Sequence, residues 1–314
     1  MYLFQSSHLI LIKYKGPDKM LLVTCAYGQV GHQIVPYLVD KGVDVRAMDI
    51  NPKVKEYEQI GVKEVLVGNG VDEDFMDKAM QDIDAVLYLP PLFTYQEAKM
   101  GKMAIEAAIK AGVKQFIDVS VLFPNLDNNL QHRMKAEVEK HLLYRGWESH
   151  MKWTVLQPAG YHHNLYVKPF YDSGELPSYS PLDQVISMVD ARDEADVALK
   201  VLADPDGYDK GVFALANEKF SLRQVAQLMS EVTGKTIKPV FVPKDKLRDY
   251  WPNYFLGSDS YAEEAFWHVY DSNMRWDWDG NSKELNWLLD KKPRSLRSYL
   301  EEEAQKAGIT VHSH

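Results

Sequence analysis

The sequence predicts an α/β fold, a doubly wound parallel sheet with a smaller C-terminal lobe. Short apolar runs alternate with amphipathic helices from residue 20 to 158, a rhythm that buries each strand between helical layers. The first run, Leu21-Leu22-Val23-Thr24-Cys25-Ala26-Tyr27-Gly28-Gln29-Val30-Gly31, passes through a tight glycine-containing turn into a helix. The second, Val45-Arg46-Ala47-Met48-Asp49, ends in an acid.

The remaining elements follow in order. Val62-Lys63-Glu64-Val65-Leu66-Val67 reads as a third strand, followed by Gly68-Asn69-Gly70 and a helix around 73–81. Ala85-Val86-Leu87-Tyr88-Leu89 is a fourth strand, stopped by Pro90-Pro91, and an amphipathic helix over 94–111 closes at Gly112. Gln115-Phe116-Ile117-Asp118-Val119-Ser120 is the fifth strand. A helix over 131–144 ends at Arg145-Gly146, and Trp153-Thr154-Val155-Leu156-Gln157 is the sixth strand, ended by Pro158. The expected strand order is 3-2-1-4-5-6 plus a seventh strand.

Past Pro158, residues 159–190 read as loop-rich. A helix over 193–202, a strand over 211–216, a helix over 220–233 and a strand over 236–242 then restore the rhythm. The final third holds Trp251, Tyr254, Phe255, Tyr261, Phe266, Trp267, Tyr270, Trp276, Trp278 and Trp287. These aromatics suit either the core of a small second lobe or the lining of a pocket for a large planar molecule. The expected organisation is an extension over 1–19, a Rossmann-like core over 20–158, and the remaining core elements with the smaller substrate lobe over 159–314.

Composition narrows the partners. The chain has 314 residues, 46% hydrophobic and 26% charged, with a net charge of −9 and no Lys/Arg-rich run. Direct nucleic-acid binding is disfavoured. Nothing approaches the ~20 apolar residues of a membrane span, and the run Leu9-Ile10-Leu11-Ile12 is too short for a signal-peptide core. One cysteine, Cys25, fits a reducing compartment and a cytoplasmic protein. A small-molecule substrate is expected, and a protein partner or homodimer stays open.

The glycine turn carries the first chemical reading. Gly28 lets backbone approach a pyrophosphate, Gly31 lets the helix pack closely on its strand, and the free N–H groups of the helix start face the phosphates. Asp49 stands about where a carboxylate meets an adenosine ribose. Together these imply a dinucleotide site.

Further segments then resemble the NmrA-like proteins, atypical members of the short-chain dehydrogenase superfamily. The stretch from Met103 to Ile117 is similar to that family's helix into strand five, and Lys135-Ala136-Glu137-Val138-Glu139 to its K-A-x-V-E helix. Trp153-Thr154-Val155-Leu156-Gln157-Pro158 through Asn164 resembles its W/Y-T-x-x-R-P … N segment. Val189-Asp190-Ala191-Arg192-Asp193-Glu194-Ala195-Asp196 resembles its D-x-R-D-x-A-D turn. Members include reductases of quinones and phenylpropanoids, biosynthetic enzymes, and NAD(P)-sensing regulators without catalysis. The resemblance implies that Tyr27, Gly28, Gln29, Val30 and Gly31 hold the pyrophosphate and that Asn69 with Gly70 flanks the adenine. It also implies that Leu89, Pro90 and Pro91 pass over the ribose. Ser120 and Lys135 then lie near the nicotinamide, with Tyr161 and Asn164 closing that end.

Three departures stand out. Cys25 replaces the first glycine of the fingerprint and puts a Cβ in the turn. Ile50 stands where NADP-preferring members carry arginine, so beside Asp49 the expectation is NAD(H) over NADP(H). Gln131 stands four residues before Lys135, where typical short-chain dehydrogenases carry the acid/base tyrosine, and an amide cannot shuttle that proton. Tyr95 and Lys99 repeat the Tyr-x-x-x-Lys spacing on what reads as a solvated helix face.

The candidate catalytic residues are Lys135, Ser120 and His132. Lys135 polarises a carbonyl or binds ribose, or else is a surface lysine paired with Glu139 at i,i+4. In the first case Lys135→Ala lowers turnover with little change in unfolding temperature. His132 substitutes for the missing phenol, or rests on the helix surface. Ser120 bonds substrate or ribose, or caps local backbone. Tyr161, His162 and Asn164 are candidate substrate contacts. Adjacent histidines on an extended segment point apart, so His162 and His163 are not read as a metal site, and none is expected. Cys25 is a redox sensor or a plain small-residue replacement. Two functions from different classes remain: an NAD(P)-dependent oxidoreductase (or a non-redox enzyme of the same fold) acting on a small aromatic or polyketide-like molecule, and a non-catalytic NAD(P)-sensing regulator.

Overall fold

The computed structural model describes residues 20–252 and 260–312. The expected extension over 1–19, and Tyr254 and Phe255, lie outside the described residues. Strands β1 (Met20–Val23), β2 (Asp44–Asp49), β3 (Glu64–Val67), β4 (Ala85–Tyr88), β5 (Gln115–Val119) and β6 (Lys152–Pro158) alternate with helices α1 (Gln29–Asp40), α2 (Glu73–Ala79), α3 (Glu97–Ala111) and α4 (Leu130–Ser149). Next come β7 (Gly160–Tyr161), α5 (Val167–Ser173), β8 (Glu175–Ser178), β9 (Val185–Val189), α6 (Ala191–Ala203) and β10 (Gly211–Leu215). The chain continues through β11 (Lys219–Ser221), α7 (Leu222–Thr233), β12 (Lys238–Phe241), α8 (Leu247–Tyr250), α9 (Ser260–Asn273), α10 (Ser282–Leu289) and α11 (Leu296–Lys306).

The central sheet has seven strands in the order β3-β2-β1-β4-β5-β6-β10, all pairs parallel. That is the order the sequence predicts. Period-two alternation sorts its side chains. Leu21 and Val23 enter one core with Ile34, Val35 and Leu38 of α1, while Leu22 enters the other with Met48, Met76 and Tyr88. Each such buried side chain contributes about 1.5–3 kcal/mol. The order reverses between β1 and β4, where Thr24 Oγ1 donates to Leu89 O and accepts from Leu89 N, both at 2.8 Å. The crevice outside a parallel sheet's carboxyl ends opens at such a reversal.

Three local expectations change. The β2–β3 connection is a 3-10 helix, Pro52–Ile60, capped by the Asn51 side chain, which accepts from Lys53 N. Helix α4 runs past Gly146 to Ser149, and the glycine serves packing there, since the Trp153 ring fills the space a Cβ would take. Within 159–190 the chain forms short strands. β7, β9 and β11 make a three-stranded sheet, and β8 pairs with β12.

The C-terminal segments build a separate apolar cluster, with Leu165, Val225, Met229, Leu296 and Leu300 at its centre. A smaller one joins Val242, Leu247, Phe266 and Tyr270. The D-x-R-D-x-A-D segment is the staple between lobe and core. Asp190 caps α6 by accepting from Arg192 N, and the Arg192 guanidinium reaches Glu302 of α11. Arg294 bridges Asp193 and Asp196 of α6 and donates to Tyr37 Oη of α1 at 2.9 Å.

Gly31 sets how closely α1 approaches the turn. A Cβ there would lie 2.2 Å from Ala26 O and 2.7 Å from Cys25 O. Backbone cannot swing aside as a side chain can, so Gly31→Ala should displace the helix start and cost roughly 1–3 kcal/mol. Urea unfolding would measure it, and an unchanged midpoint would show that the turn yields freely.

Candidate functional site

The β1–α1 turn is tightened by a bond from Gly28 N to Cys25 O at 3.0 Å. Gly28 caps α1 with no side-chain partner, so the first-turn amides of Gln29, Val30 and Gly31 have no intrahelical acceptor. A helix start of this kind attracts an anion. Cys25 takes φ +44°, the left-handed region the fingerprint's glycine normally supplies. The Cβ is therefore accommodated and the turn keeps its shape. Burial, then the Asp49 and Glu97 carboxylates, push the Cys25 thiol far above its usual range. Such a thiol is inert at neutral pH, which favours simple replacement over redox sensing.

Asp49 ends β2 beside the turn and is itself a clamp. Its Oδ2 accepts from Tyr27 N and its Oδ1 from Asn51 N, both at 2.8 Å. Each oxygen keeps a lone pair, so a ribose hydroxyl can still be accepted. Ile50 projects outward, 67% exposed, and brings no cation. The Tyr27 phenol reaches away to Glu56 at 2.7 Å, and its ring stands edge-on to His32 at 4.2 Å. Asn69 turns its Oδ1 to Val71 N, and Gly70 is buried beneath Met100. Leu89 is buried while Pro90 and Pro91 are half-exposed.

The three candidate catalytic residues are all buried and all engaged. Lys135 is no surface lysine and does not pair with Glu139. It bonds Glu97 of α3, and the two side chains are 8% and 0% exposed. Glu139 instead accepts from Ser120 Oγ and, at 3.0 Å, from Gln157 Nε2. His132 is likewise no surface group. Its Nδ1 bonds Phe123 O at 2.9 Å and its ring lies 5.1 Å from that of Trp278. Burial lowers its pKa to about 4, so it is neutral at physiological pH. With Nδ1–H donated, Nε2 is an acceptor. Asp118, on the same face of β5 as Ser120, has an unpaired Oδ2, and burial pushes its carboxyl well above the usual range.

After β6, Tyr161 Oη lies 2.6 Å from Glu194 Oε2, and its ring stacks on His163 at 4.7 Å. His162 does not reach a substrate space. It is 1% exposed, turned toward Tyr299 and Asp190, and both ring nitrogens lack a bonded partner. The two rings point apart as expected, and it is His163 that lies beside Tyr161. Asn164 is exposed. Tyr95 is exposed and bonded only to its neighbour Gln96 among the described residues, as its surface reading requires.

A cavity of about 490 Å³ sits at the amino ends of β4, β5 and β6 near Lys114 and Lys152. It lies at the end of the sheet where parallel-sheet ligands do not bind. Another, about 450 Å³, lies between the loop after β5 and the segment before α10, lined by Phe123, Leu126, Trp276 and Trp278. Beside it stands His132. The C-terminal aromatics therefore divide: Phe266 and Tyr270 are core, whereas Trp276 and Trp278 line a groove. Glu97, Asp118, Phe123 and Glu194 belong to no sequence motif that would have marked them for these roles.

A parallel sheet with an uncapped helix start at its reversal point and an acid closing β2 defines a dinucleotide-binding α/β protein of the Rossmann type. The chain belongs to the NmrA-like family, whose model matches residues 17–300. It is similar to an NAD(P)H azoreductase of Xenophilus azovorans, 27% identical over 234 residues covering 73% of this chain and 79% of that one. Among solved structures it is similar to the triphenylmethane reductase of a Citrobacter species complexed with NADP(H). That likeness has a TM-score of 0.73 at 20% identity over 90% of this chain and 99% of that one. It is equally similar to NmrA, a negative transcriptional regulator, in complex with NAD, with a TM-score of 0.73 at 18% identity over 93% and 98%. Among the described residues no helix is long and apolar enough to cross a membrane.

Two expected outcomes follow from burial. Lys135→Ala leaves Glu97 buried without its cation, so it should cost about 3–5 kcal/mol. The sequence reading expected little change in unfolding temperature; burial beside Glu97 gives a loss as the expected outcome instead, of which adding Glu97→Gln should recover much in thermal unfolding. His132 binds its proton less readily folded than unfolded, where its pKa is 6.5. Between pH 4 and 6.5 the unfolded chain therefore holds more protons, and stability rises with pH by roughly 3 kcal/mol. His132→Asn should flatten that part of the stability profile.

Proposed function

We propose that this protein is a nicotinamide-dependent reductase of small planar aromatic acceptors, preferring NAD(H) to NADP(H). The observation that carries the proposal is the fit of the β1–α1 turn to a dinucleotide. Gly28 and Gly31 leave no Cβ against backbone, three first-turn amides await an anion, and Asp49 is pinned beside them. Gln29, Val30 and Gly31 would hold the pyrophosphate, Asp49 the adenosine ribose, and Asn69 with Gly70 the adenine. The dinucleotide, when bound, supplies or accepts hydride. The name of the azoreductase relative supports a redox reaction on an aromatic compound.

This chain's own residues then have definite tasks. Phe123, Trp276 and Trp278 offer flat apolar faces that exclude water from a planar acceptor. His132, neutral and held by Phe123 O, presents Nε2 as a hydrogen-bond acceptor at the groove. Lys135, fixed by Glu97, supplies a buried positive charge behind the ends of β4 and β5, and Ser120 is oriented by Glu139. A second reading, an NAD(P)-sensing regulator acting through a protein partner, draws support from Gln131 in place of the tyrosine.

Titration of nicotinamide fluorescence is the deciding measurement. A carboxylate facing a 2′-phosphate with no compensating cation should cost on the order of 1–3 kcal/mol. NADH should therefore bind at least several-fold more tightly than NADPH. Equal or tighter binding of NADPH would show that a nearby lysine such as Lys53 has taken the phosphate. The regulator reading expects binding with no oxidation of NADH by any quinone or azo acceptor.

A further inference from the structure

Gln131, His132 and Lys135 leave the reaction without an evident proton donor. Tyr161 follows the carboxyl end of β6, and its ring packs against the same core as Cys25, Tyr27 and Val30 of the phosphate turn. Five residues on, Tyr166 Oη accepts from the Gln29 side chain at 3.0 Å. The 160–166 segment thus borders the first residue of α1. Behind Tyr161, in the first turn of α6, Glu194 is 0% exposed. One of its oxygens is 2.6 Å from the phenol and the other has no partner among the described residues.

A carboxylate buried with a single hydrogen bond is poorly stabilised, whereas a neutral carboxyl group leaves only one carbonyl oxygen unpartnered and buries no charge. Burial raises Glu194 to about 7, partly offset by the bond to Tyr161. The other charged groups packed around it are committed elsewhere. On α6, Asp190 is bonded by Arg192, and Asp193 and Asp196 by Arg294. From β7 and the turn after it, His162 faces Asp190 and His163 stacks on Tyr161, neutral at physiological pH because burial lowers it to about 4. From α1, Tyr37 is bonded to Asp196 and Arg294, and from α11 Glu302 holds Arg192.

We propose that Tyr161 is the catalytic proton donor of the reductase and that Glu194 is the positioning residue that stores and replaces its proton. The proposal rests on the reductase reading above. With Glu194 protonated, its O–H donates to Tyr161 Oη, which turns the phenol hydrogen toward the crevice. The dinucleotide, when bound, would supply hydride to one atom of the acceptor's double bond, and Tyr161 would supply the proton to the other. As the Tyr161 O–H bond breaks, the Glu194 proton moves to Tyr161 Oη. The phenol is thereby restored, and Glu194 is left as a carboxylate that regains a proton from water after product leaves. The acceptor is reduced by two electrons and the dinucleotide oxidised, so atoms and charge balance. The relay lets a phenol with an unusually high pKa act as an acid, because no phenolate has to accumulate.

The test has a readout free of turnover. Infrared titration of the nucleotide-free protein should show a protonated carboxyl band that disappears with a midpoint near pH 7, and Glu194→Gln should abolish it. In NADH oxidation with menadione as acceptor, kcat of the wild type should fall as pH rises through 7. Glu194→Gln should lose that limb and run at a low, pH-independent rate. Tyr161→Phe should lower kcat on the order of 10²-fold, with both variants checked for native unfolding temperature. A missing carboxyl band, or full turnover in Tyr161→Phe, would overturn the relay while leaving the reductase reading intact. Absence of NADH oxidation by the wild type with menadione or with the azo dye methyl red would instead overturn the reductase reading, and the relay with it.

Discussion

One carboxylate ties the candidate site together. Asp49 accepts from the amide of Tyr27 in the β1–α1 turn and from the amide of Asn51 at the entrance to the 3-10 helix. Those two bonds hold the turn against the end of β2 and present both carboxylate oxygens at a fixed angle. The same constraint makes Gly31 indispensable, because the turn so held brings Ala26 O within 2.2 Å of where a Cβ would stand. With Thr24 tying β1 to β4, the reversal point of the sheet is fixed on both sides. Charge-assisted bonds to backbone amides are among the stronger hydrogen bonds, and here they set geometry before any ligand arrives. This is preorganisation, and it lowers the ordering cost of binding.

The seven-stranded order was legible because burial on both sheet faces writes uninterrupted apolar runs, and because the glycine turn marks where the first strand becomes a helix. The shape of the β1–α1 turn was legible for the same reason: its residues are contiguous. Lys135 was legible as a position but not as an environment. Its partner Glu97 lies on another helix, and only the packing of α3 on α4 shows that both are buried. Tyr161 with Glu194, and Ser120 with Glu139, are likewise tertiary pairs whose spacing has no periodic meaning. Gly146 misled for a physical reason. It reads as a helix stop, yet here it serves close packing against Trp153.

Cys25 shows how a motif survives a broken consensus. A left-handed conformation costs a non-glycine residue about 1–2 kcal/mol, and strain of that size persists only where surrounding structure over-determines it. The over-determination is visible: Ala26 N bonds Met48 O on one side and Gly28 N bonds Cys25 O on the other. The turn therefore keeps the shape that glycine would give it, at a modest cost in stability rather than in site geometry.

The distribution of buried polarity is the stronger argument for chemistry at this end of the sheet. On β5 the residues alternate. Ile117 and Val119 enter the core shared with α1, while Phe116 enters the core on the α3 and α4 side. Asp118 and Ser120 are in phase with Phe116 and interrupt that second core. Around them stand Glu97, Lys135 and the half-buried Glu139, so that two buried carboxyl groups and a third half-buried one face one lysine. A structural ion pair would need one acid, and a chain selected for stability alone would fill the space with hydrocarbon. The excess gathers at the carboxyl ends of β4, β5 and β6, and Glu194 occupies the corresponding place on the other side of the sheet. Perturbed acids on both flanks of one crevice are what a reaction that moves protons requires.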